Sequence, residues 1–192
     1  MSERVLATRR IYSLHELLVM AALAALGGGF GSVLSRLGEP LRATLGPGGM
    51  QFLAGAHVLW LILAVGLVRR RGAATLTSLL KGAVELFSGS PHGLLAVLYC
   101  GLAGAAVDAV WLLLGRRDHP LTYVLAGGLG SATNVLVFKL AISLPAGRAA
   151  TVGLGLLAGV AFLSGTLLGG CLGWTLLRTL RRAGVAGTQA PA

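Results

Sequence analysis

Six long apolar stretches, separated by short polar or glycine-rich turns, account for most of the sequence. They cover approximately residues 14–34, 50–68, 72–88, 93–114, 121–144 and 151–177. Most of them approach the roughly 20 residues that a helix needs to cross a bilayer, and no strand-like alternation is present. The third stretch is short and the sixth is long enough to tilt. The pattern predicts an all-α, polytopic membrane protein with six transmembrane helices in one domain, 1–192, ending in a flexible tail, 183–192.

The composition supports the same class. Hydrophobic residues make up 55% of the chain and charged residues only 11%, with a mean hydropathy of +0.82. A soluble domain carries about 25% charged residues. The net charge of +10 is spread over short clusters between apolar stretches. This distribution is typical of membrane topology and does not indicate a nucleic-acid partner.

The arginines predict the orientation. Eleven lie in segments that would share one side of the membrane, and three lie in the opposite turns. Because basic residues favour the cytoplasmic side, both termini are predicted to be cytoplasmic. The start of the chain also resembles a secretory signal, but its removal would reverse the charge pattern. The eleven are Arg4, Arg9, Arg10, Arg69, Arg70, Arg71, Arg116, Arg117, Arg178, Arg181 and Arg182; the three are Arg36, Arg42 and Arg148.

Polar side chains on several predicted spans fall at a similar depth. Lys81 and Glu85 lie one helical turn apart within the third span, so they share a face. Ionisable residues inside a membrane usually face the bundle interior and mark a site. We therefore predict an outward-facing substrate site, although a self-neutralising ion pair would explain the first two residues alone. The predicted site comprises Glu85, Lys81, His57, Trp60, Gln51, His92, Tyr99, Asn134 and Lys139. Asp108 lies deeper, and a structural role is favoured for it.

Two stripes of small residues allow close helix packing. Ala21 and Ala25 form a small-xxx-small pair on the first span. Ala161, Gly165, Gly169 and Gly173 continue the same spacing over three turns of the sixth. Such stripes permit close approach, either within the bundle or to another membrane protein. Both interpretations remain open for each stripe.

Motifs for catalysis and cofactor binding are missing from the sequence. It contains no H-E-x-x-H, C-x-x-C or P-loop pattern, and Cys100 and Cys171 both lie in apolar runs. We interpret both cysteines as small packing residues and predict no metal, no cofactor and no enzymatic activity. If ATP drives transport, partner subunits must hydrolyse it.

One run of the chain resembles a known family. RRRGAATLTSLLKGAVELFSGSPHG at 69–93, followed by GLAGAAVDAVW at 101–111, is similar to the S components of energy-coupling factor (ECF) vitamin transporters. The subfamily for hydroxymethylpyrimidine, the thiamine precursor, is the most similar, and the resemblance extends from about Gly46 through Ala141. The most specific parts are the Arg-Gly-Ala-Ala turn at 71–74, the Val84–Glu85 pair and the Gly-x-Pro-x-Gly turn at 89–93.

The resemblance implies a function and a set of partners. An S component binds a vitamin near the outer face, here under the loop Ser35–Gly49, in the plasma membrane of a prokaryote. Its partners are a transmembrane T component, which the alanine motif at Ala21 and Ala25 would contact, and two ATPase subunits. Ala103, Asp108 and Lys139 depart from the family pattern, so another vitamin remains an alternative. A small membrane enzyme or an assembly protein with a buried polar site is the alternative from a different class.

Overall fold

The computed structural model describes residues 12–90, 92–142 and 148–184, and all regular structure in these ranges is helical. Two irregular helical segments interrupt the α-helices: a 3₁₀ segment before α2 and a π-helical segment between α6 and α7. The elements are α1 (Leu14–Leu45), the 3₁₀ segment (Gly46–Leu53), α2 (Ala54–Val68), α3 (Ala73–Phe87), α4 (Leu95–Leu113), α5 (Pro120–Ile142), α6 (Arg148–Ser164), the π segment (Gly165–Cys171) and α7 (Leu172–Arg182).

Several termini of these helices meet at one end of the bundle, which we call the basic end. The Tyr12 hydroxyl, just before α1, donates to the carbonyl of Arg71 in the α2–α3 turn at 2.6 Å. Arg181 of α7 donates to the carbonyl of Gly66 on α2 at 2.7 Å and also contacts Asp118 in the α4–α5 loop. The α2–α3 turn, the α4–α5 loop, the start of α1 and the end of α7 therefore share this end.

The central helix is α2, which packs against every other helix of the bundle. Eleven of its residues are buried, including Val58, Ile62 and Val65. Large apolar side chains such as Leu14, Phe87 and Leu113 are instead exposed on the outer surface. An apolar exterior around a packed interior is what a bundle in lipid requires.

By length and composition, four described helical stretches could cross a membrane. They are Leu14–Gly38, Gly49–Val68, Leu95–Leu113 and Thr151–Arg182. The predicted third span corresponds to α3, which has 15 residues, and the predicted fifth span corresponds to α5. The all-α prediction is therefore confirmed for the described residues.

At two places the helices continue beyond the predicted spans. The first span was predicted to end near residue 34 and to be followed by a loop at Ser35–Gly49, but α1 continues to Leu45 through Pro40. Polarity rises after residue 34, whereas the helix itself ends only at Gly46, whose φ of +67° suits glycine. The sixth span likewise continues past residue 177 to Arg182, because its last turns are polar yet still helical.

Two predictions concern residues at the ends of the chain. The flexible tail, 183–192, lies outside the described residues from 185 onward. Arg4, Arg9 and Arg10 also lie outside them.

Candidate functional site

The centre of the predicted site is an ion pair on α3. The Lys81 ammonium donates to Glu85 Oε1, one helical turn further along. The side chains of Lys81 and Glu85 are only 1% and 0% exposed. Since α3 starts at the basic end, Glu85 lies near the opposite end of the bundle. The four-residue spacing predicted that the two side chains share one face of the helix, as they do.

His57 of α2 joins this pair. Its Nδ1 lies 3.3 Å from Lys81 Nζ and 3.5 Å from Glu85 Oε1. Two arrangements satisfy this geometry. Nδ1 either accepts from the Lys81 ammonium, with the ring proton on Nε2, or carries a proton and donates to Glu85 Oε1. The predicted convergence of α2 and α3 is therefore present.

Helix α4 supplies Tyr99 and Cys100, and His92 lies in the turn before it. The Tyr99 hydroxyl lies 3.4 Å from Glu85 Oε2, and the His92 ring packs edge-on against the Tyr99 ring at 5.7 Å between centroids. Cys100 Sγ lies 3.6 Å from Lys81 Nζ. We had interpreted Cys100 as a packing residue, so its place in the cluster was missed. Cys100 directly follows Tyr99, a predicted site residue, and this neighbourhood could have indicated its place in the cluster.

Helix α1 covers the cluster with glycines, which the sequence analysis also missed. A Cβ at Gly31 would overlap Glu85 Oε1, and a Cβ at Gly28 would lie 2.6 Å from Val84 Cβ. Only glycine permits this approach of the α1 backbone to α3. The signal was the run Gly-Gly-Gly-Phe-Gly at 27–31.

Trp60 packs one turn deeper than His57 on α2. A Cβ at Gly27 would lie 2.7 Å from Trp60 Cγ, and the ring of Phe30 lies 6.0 Å from the Trp60 ring. Since Gly27 and Gly31 are one turn apart on α1, Trp60 lies about one turn from the Glu85 carboxylate.

Three predicted site residues carry buried polar atoms without a hydrogen-bond partner in the described part of the chain. These atoms are Gln51 Oε1, Trp60 Nε1 and Asn134 Oδ1. Buried polar groups are normally paired, so an orphaned one needs an explanation such as a ligand or water. No described hydrogen bond connects these three side chains to the Lys81–Glu85 cluster. The Lys139 side chain lies outside the described residues, so its predicted role stays a prediction.

Asp108 of α4 has a structural role. Its carboxylate accepts from the backbone N–H of Ala74 at 3.3 Å and of Thr75 at 2.8 Å, and from the Thr75 hydroxyl at 2.6 Å. The N-cap residue of α3 is Gly72, which has no side chain to accept these bonds. Asp108 therefore caps α3 from the neighbouring helix.

The two stripes of small residues have different surroundings. Ala21 and Ala25 are exposed on α1. In the second stripe Gly165 packs onto Gly127 of α5, and a Cβ at Gly173 would lie 2.8 Å from Ile62 of α2. The second stripe is thus packing within the bundle, while the first faces outward.

The side chains around Glu85 that could bind a metal ion already surround the ammonium of Lys81. Lys81 Nζ lies among Glu85 Oε1, His57 Nδ1 and Cys100 Sγ. Across the residues that the structure describes, no three His, Cys, Asp or Glu side chains form a group that could hold a metal ion.

Comparisons with known proteins agree with this architecture. The family described as "ABC-type cobalt transport system, permease component" matches residues 15–134. The Bacillus subtilis (strain 168) protein "Putative HMP/thiamine permease protein YkoE" is 23% identical over 174 residues, 91% of this chain and 87% of that protein. A solved structure described as "Crystal structure of an S-component of ECF transporter" has a TM-score of 0.83 at 23% identity, covering 93% of this chain and 90% of its own. The chain therefore has that fold over nearly its whole length.

Proposed function

The chain belongs to the family of ABC-type cobalt transport system permease components, and on this premise we propose that it is the substrate-binding S component of an ECF importer. In this role it binds a thiamine-related pyrimidine, hydroxymethylpyrimidine or thiamine, from outside the cell. The observation that carries the proposal is the match to an S component over 93% of the chain at a TM-score of 0.83. The family consists of transport components, which agrees with the prediction that the chain is not an enzyme.

The proposed topology has six spans with both termini in the cytoplasm of a prokaryote. Its support is the basic end, where Arg69–Arg71 and Arg181 lie together with the start of α1. Positively charged segments favour the cytoplasmic side. The Glu85 cluster, near the opposite end, then lies toward the outside.

We place the ligand beside Glu85. Its Oε1 is taken by Lys81, but Oε2 has only the long contacts from Tyr99 at 3.4 Å and Cys100 at 4.0 Å. That oxygen can accept a shorter hydrogen bond from an aminopyrimidine. The relative's printed name, which gives HMP and thiamine, supports this class of ligand. The proposed lining is Glu85, Lys81, His57, Trp60, Gln51, His92, Tyr99 and Asn134.

A cobalt ion is the ligand that the family description suggests, and the cluster argues against it. Lys81 Nζ occupies the centre of the one donor group assembled there, between the carboxylate, the imidazole and the thiol. A divalent ion at this position would face an ammonium at close range. An organic ligand that adds hydrogen bonds at Oε2 meets no such repulsion.

Isothermal calorimetry on the purified protein with hydroxymethylpyrimidine and with thiamine tests the proposal. A charge-assisted hydrogen bond is worth about 1.5–3 kcal/mol, so Glu85→Gln should weaken binding at least tenfold. Asp118→Asn, at the basic end, is the control and should leave the affinity unchanged. Unchanged affinity of a folded Glu85→Gln protein contradicts the role of Glu85.

The proposed partners are a T component and two ATPase subunits, which hydrolyse the ATP. The support is the exposed pair Ala21 and Ala25, which lets a partner helix approach α1 closely. Ala25→Trp should abolish co-purification of the partners and leave ligand binding intact. Leu156→Trp, at a position on α6 that is 68% exposed, is the matched control. Loss of ligand binding with an intact complex would make the pair internal packing.

Lys139 remains a separate prediction. If it faces the site, it favours a ligand with an anionic group, and Lys139→Met should selectively lose anionic pyrimidines. If it extends to water instead, all ligands should bind the variant as they bind the parent.

A further inference from the structure

We propose that Lys81 cancels the charge of Glu85, so that the site selects uncharged pyrimidines over cationic ones. This inference rests on the proposed function and adds the charge of the preferred substrate to it. It would make a neutral pyrimidine alcohol a better ligand than thiamine, whose thiazolium ring carries a permanent positive charge.

The first step is the charge balance of the cluster. Glu85 carries one negative charge and Lys81 one positive charge, and their side chains are 0% and 1% exposed. If the proton moves from the ammonium to the carboxylate, both groups become neutral and the sum stays zero. His57 is a base, so it adds either no charge or a positive charge to this sum. Tyr99 and Cys100 add hydroxyl and thiol groups without charge.

The second step is that no second described carboxylate faces the pair. Gly28 and Gly31 of α1 lie against Val84 and Glu85 of α3. Gln51 of the 3₁₀ segment and Trp60 of α2 are uncharged, and His92, which packs on Tyr99, is a base that can add only positive charge. Asp108 on α4 has both carboxylate oxygens engaged at the start of α3, far along the helix from Glu85.

The third step is the cost of adding a charge. Coulomb interactions are strong where water is excluded, and an unpaired buried ion is unfavourable. A cationic ligand finds the carboxylate already neutralised by an ammonium fixed on the same helix turn. A neutral aminopyrimidine needs no counter-ion and can still donate to Oε2. The Lys81 ammonium thus competes with any cationic ligand for the Glu85 carboxylate.

The test separates charge from shape by using thiamine and its neutral isostere, in which a carbon replaces the thiazolium nitrogen. The ratio of their dissociation constants is measured by calorimetry on the purified parent protein and on Lys81→Met. We expect the parent to prefer the neutral isostere at least tenfold. In Lys81→Met the site becomes negative, and the ratio should shift at least tenfold toward thiamine.

The double variant Lys81→Met/Glu85→Gln is the matched control, because it is neutral again and should lose the preference for thiamine. If Lys81→Met does not fold in detergent, Lys81→Gln replaces it, since its amide can still donate to Glu85. An unchanged ratio in the folded charge-removal variant overturns the inference while leaving the proposed function intact. Failure of the parent to bind either compound or hydroxymethylpyrimidine contradicts the proposed function itself.

Discussion

The two ends of the bundle both contain ion pairs, but the pairs differ in exposure and in what they connect. At the basic end, Arg70 lies 3.0 Å from Glu16, and the Arg70 side chain is 45% exposed. These partners are 54 residues apart in sequence. Near the opposite end, Lys81 and Glu85 are fully buried and only one turn apart on α3.

The difference separates pairs that join segments of the fold from a buried pair that we propose lines the ligand site. The pairs at the basic end join separate segments, and their arginines are partly exposed, although Glu16 is only 6% exposed. The Lys81–Glu85 pair lies within one helix, and its contacts to α2 and α4 run through His57, Tyr99 and Cys100. Burying two charges costs several kcal/mol per ion, which the pair's own attraction does not reliably offset. A buried pair that costs desolvation energy and lies within one helix is consistent with the binding role that we propose for it.

Removing one charge of the buried pair is the strongest test of this difference between the two ends. Glu85→Ala leaves the Lys81 ammonium buried without its carboxylate, so we expect a loss of about 3–5 kcal/mol in the free energy of unfolding. The double variant Lys81→Met/Glu85→Leu should recover most of that loss, because it removes both charges and retains volume. Denaturant unfolding in detergent measures all three proteins. Single and double variants of equal stability would mean that the pair is not desolvated.

Much of this site could be predicted because charges in an apolar chain are rare. The depth and spacing of Lys81, Glu85 and His57 were enough to bring them together, since each must avoid lipid. Cys100 was missed because a cysteine in an apolar run carries no such constraint. The glycines of α1 were missed because a glycine reveals a close approach only when the neighbouring helix is known.

The helices of the fold could also be predicted, but their ends could not. The lengths of the apolar stretches located the helices. Hydropathy reports contact with lipid, whereas helix ends depend on backbone conformation. Hence α1 continues to Leu45, and the polar last turns of α7 were not counted. The π segment Gly165–Cys171 has no signature in hydropathy at all. Its glycines pack against backbone atoms of α5, which only the assembled bundle reveals.

Asp108 is intermediate between the exposed and the buried ion pairs. It is buried, but its carboxylate accepts hydrogen bonds from the first residues of α3. Asp108→Ala removes the cap of α3, and we expect a loss of about 1–2 kcal/mol in the free energy of unfolding. Thr75→Val removes the hydroxyl bond alone and should cost less. Thermal unfolding in detergent ranks the two variants. A larger loss for Thr75→Val would show that the hydroxyl, rather than the backbone N–H groups, is the main partner.

The smallest effect is expected at the basic end, for Asp118→Asn. Asp118 accepts from Arg181 at 2.5 Å and from the Tyr123 hydroxyl at 2.9 Å, and its side chain is 29% exposed. Partly exposed pairs are worth about 0–1 kcal/mol and weaken with salt. We therefore expect a loss of less than about 1 kcal/mol in the free energy of unfolding, measured at low ionic strength.

The pH dependence of that small effect has a defined sign. Partial burial raises the pKa of Asp118, but the hydrogen bonds from Arg181 and Tyr123 outweigh it, so the pKa lies below its ordinary value of 3.8. A lowered carboxyl pKa stabilises the folded state above pH 3.8, and this contribution is lost as the pH falls through the folded-state pKa. The parent and Asp118→Asn should thus differ at neutral pH and converge in acid. A difference that persists at low pH would contradict this expectation, because the stabilisation would then not come from the charge of Asp118.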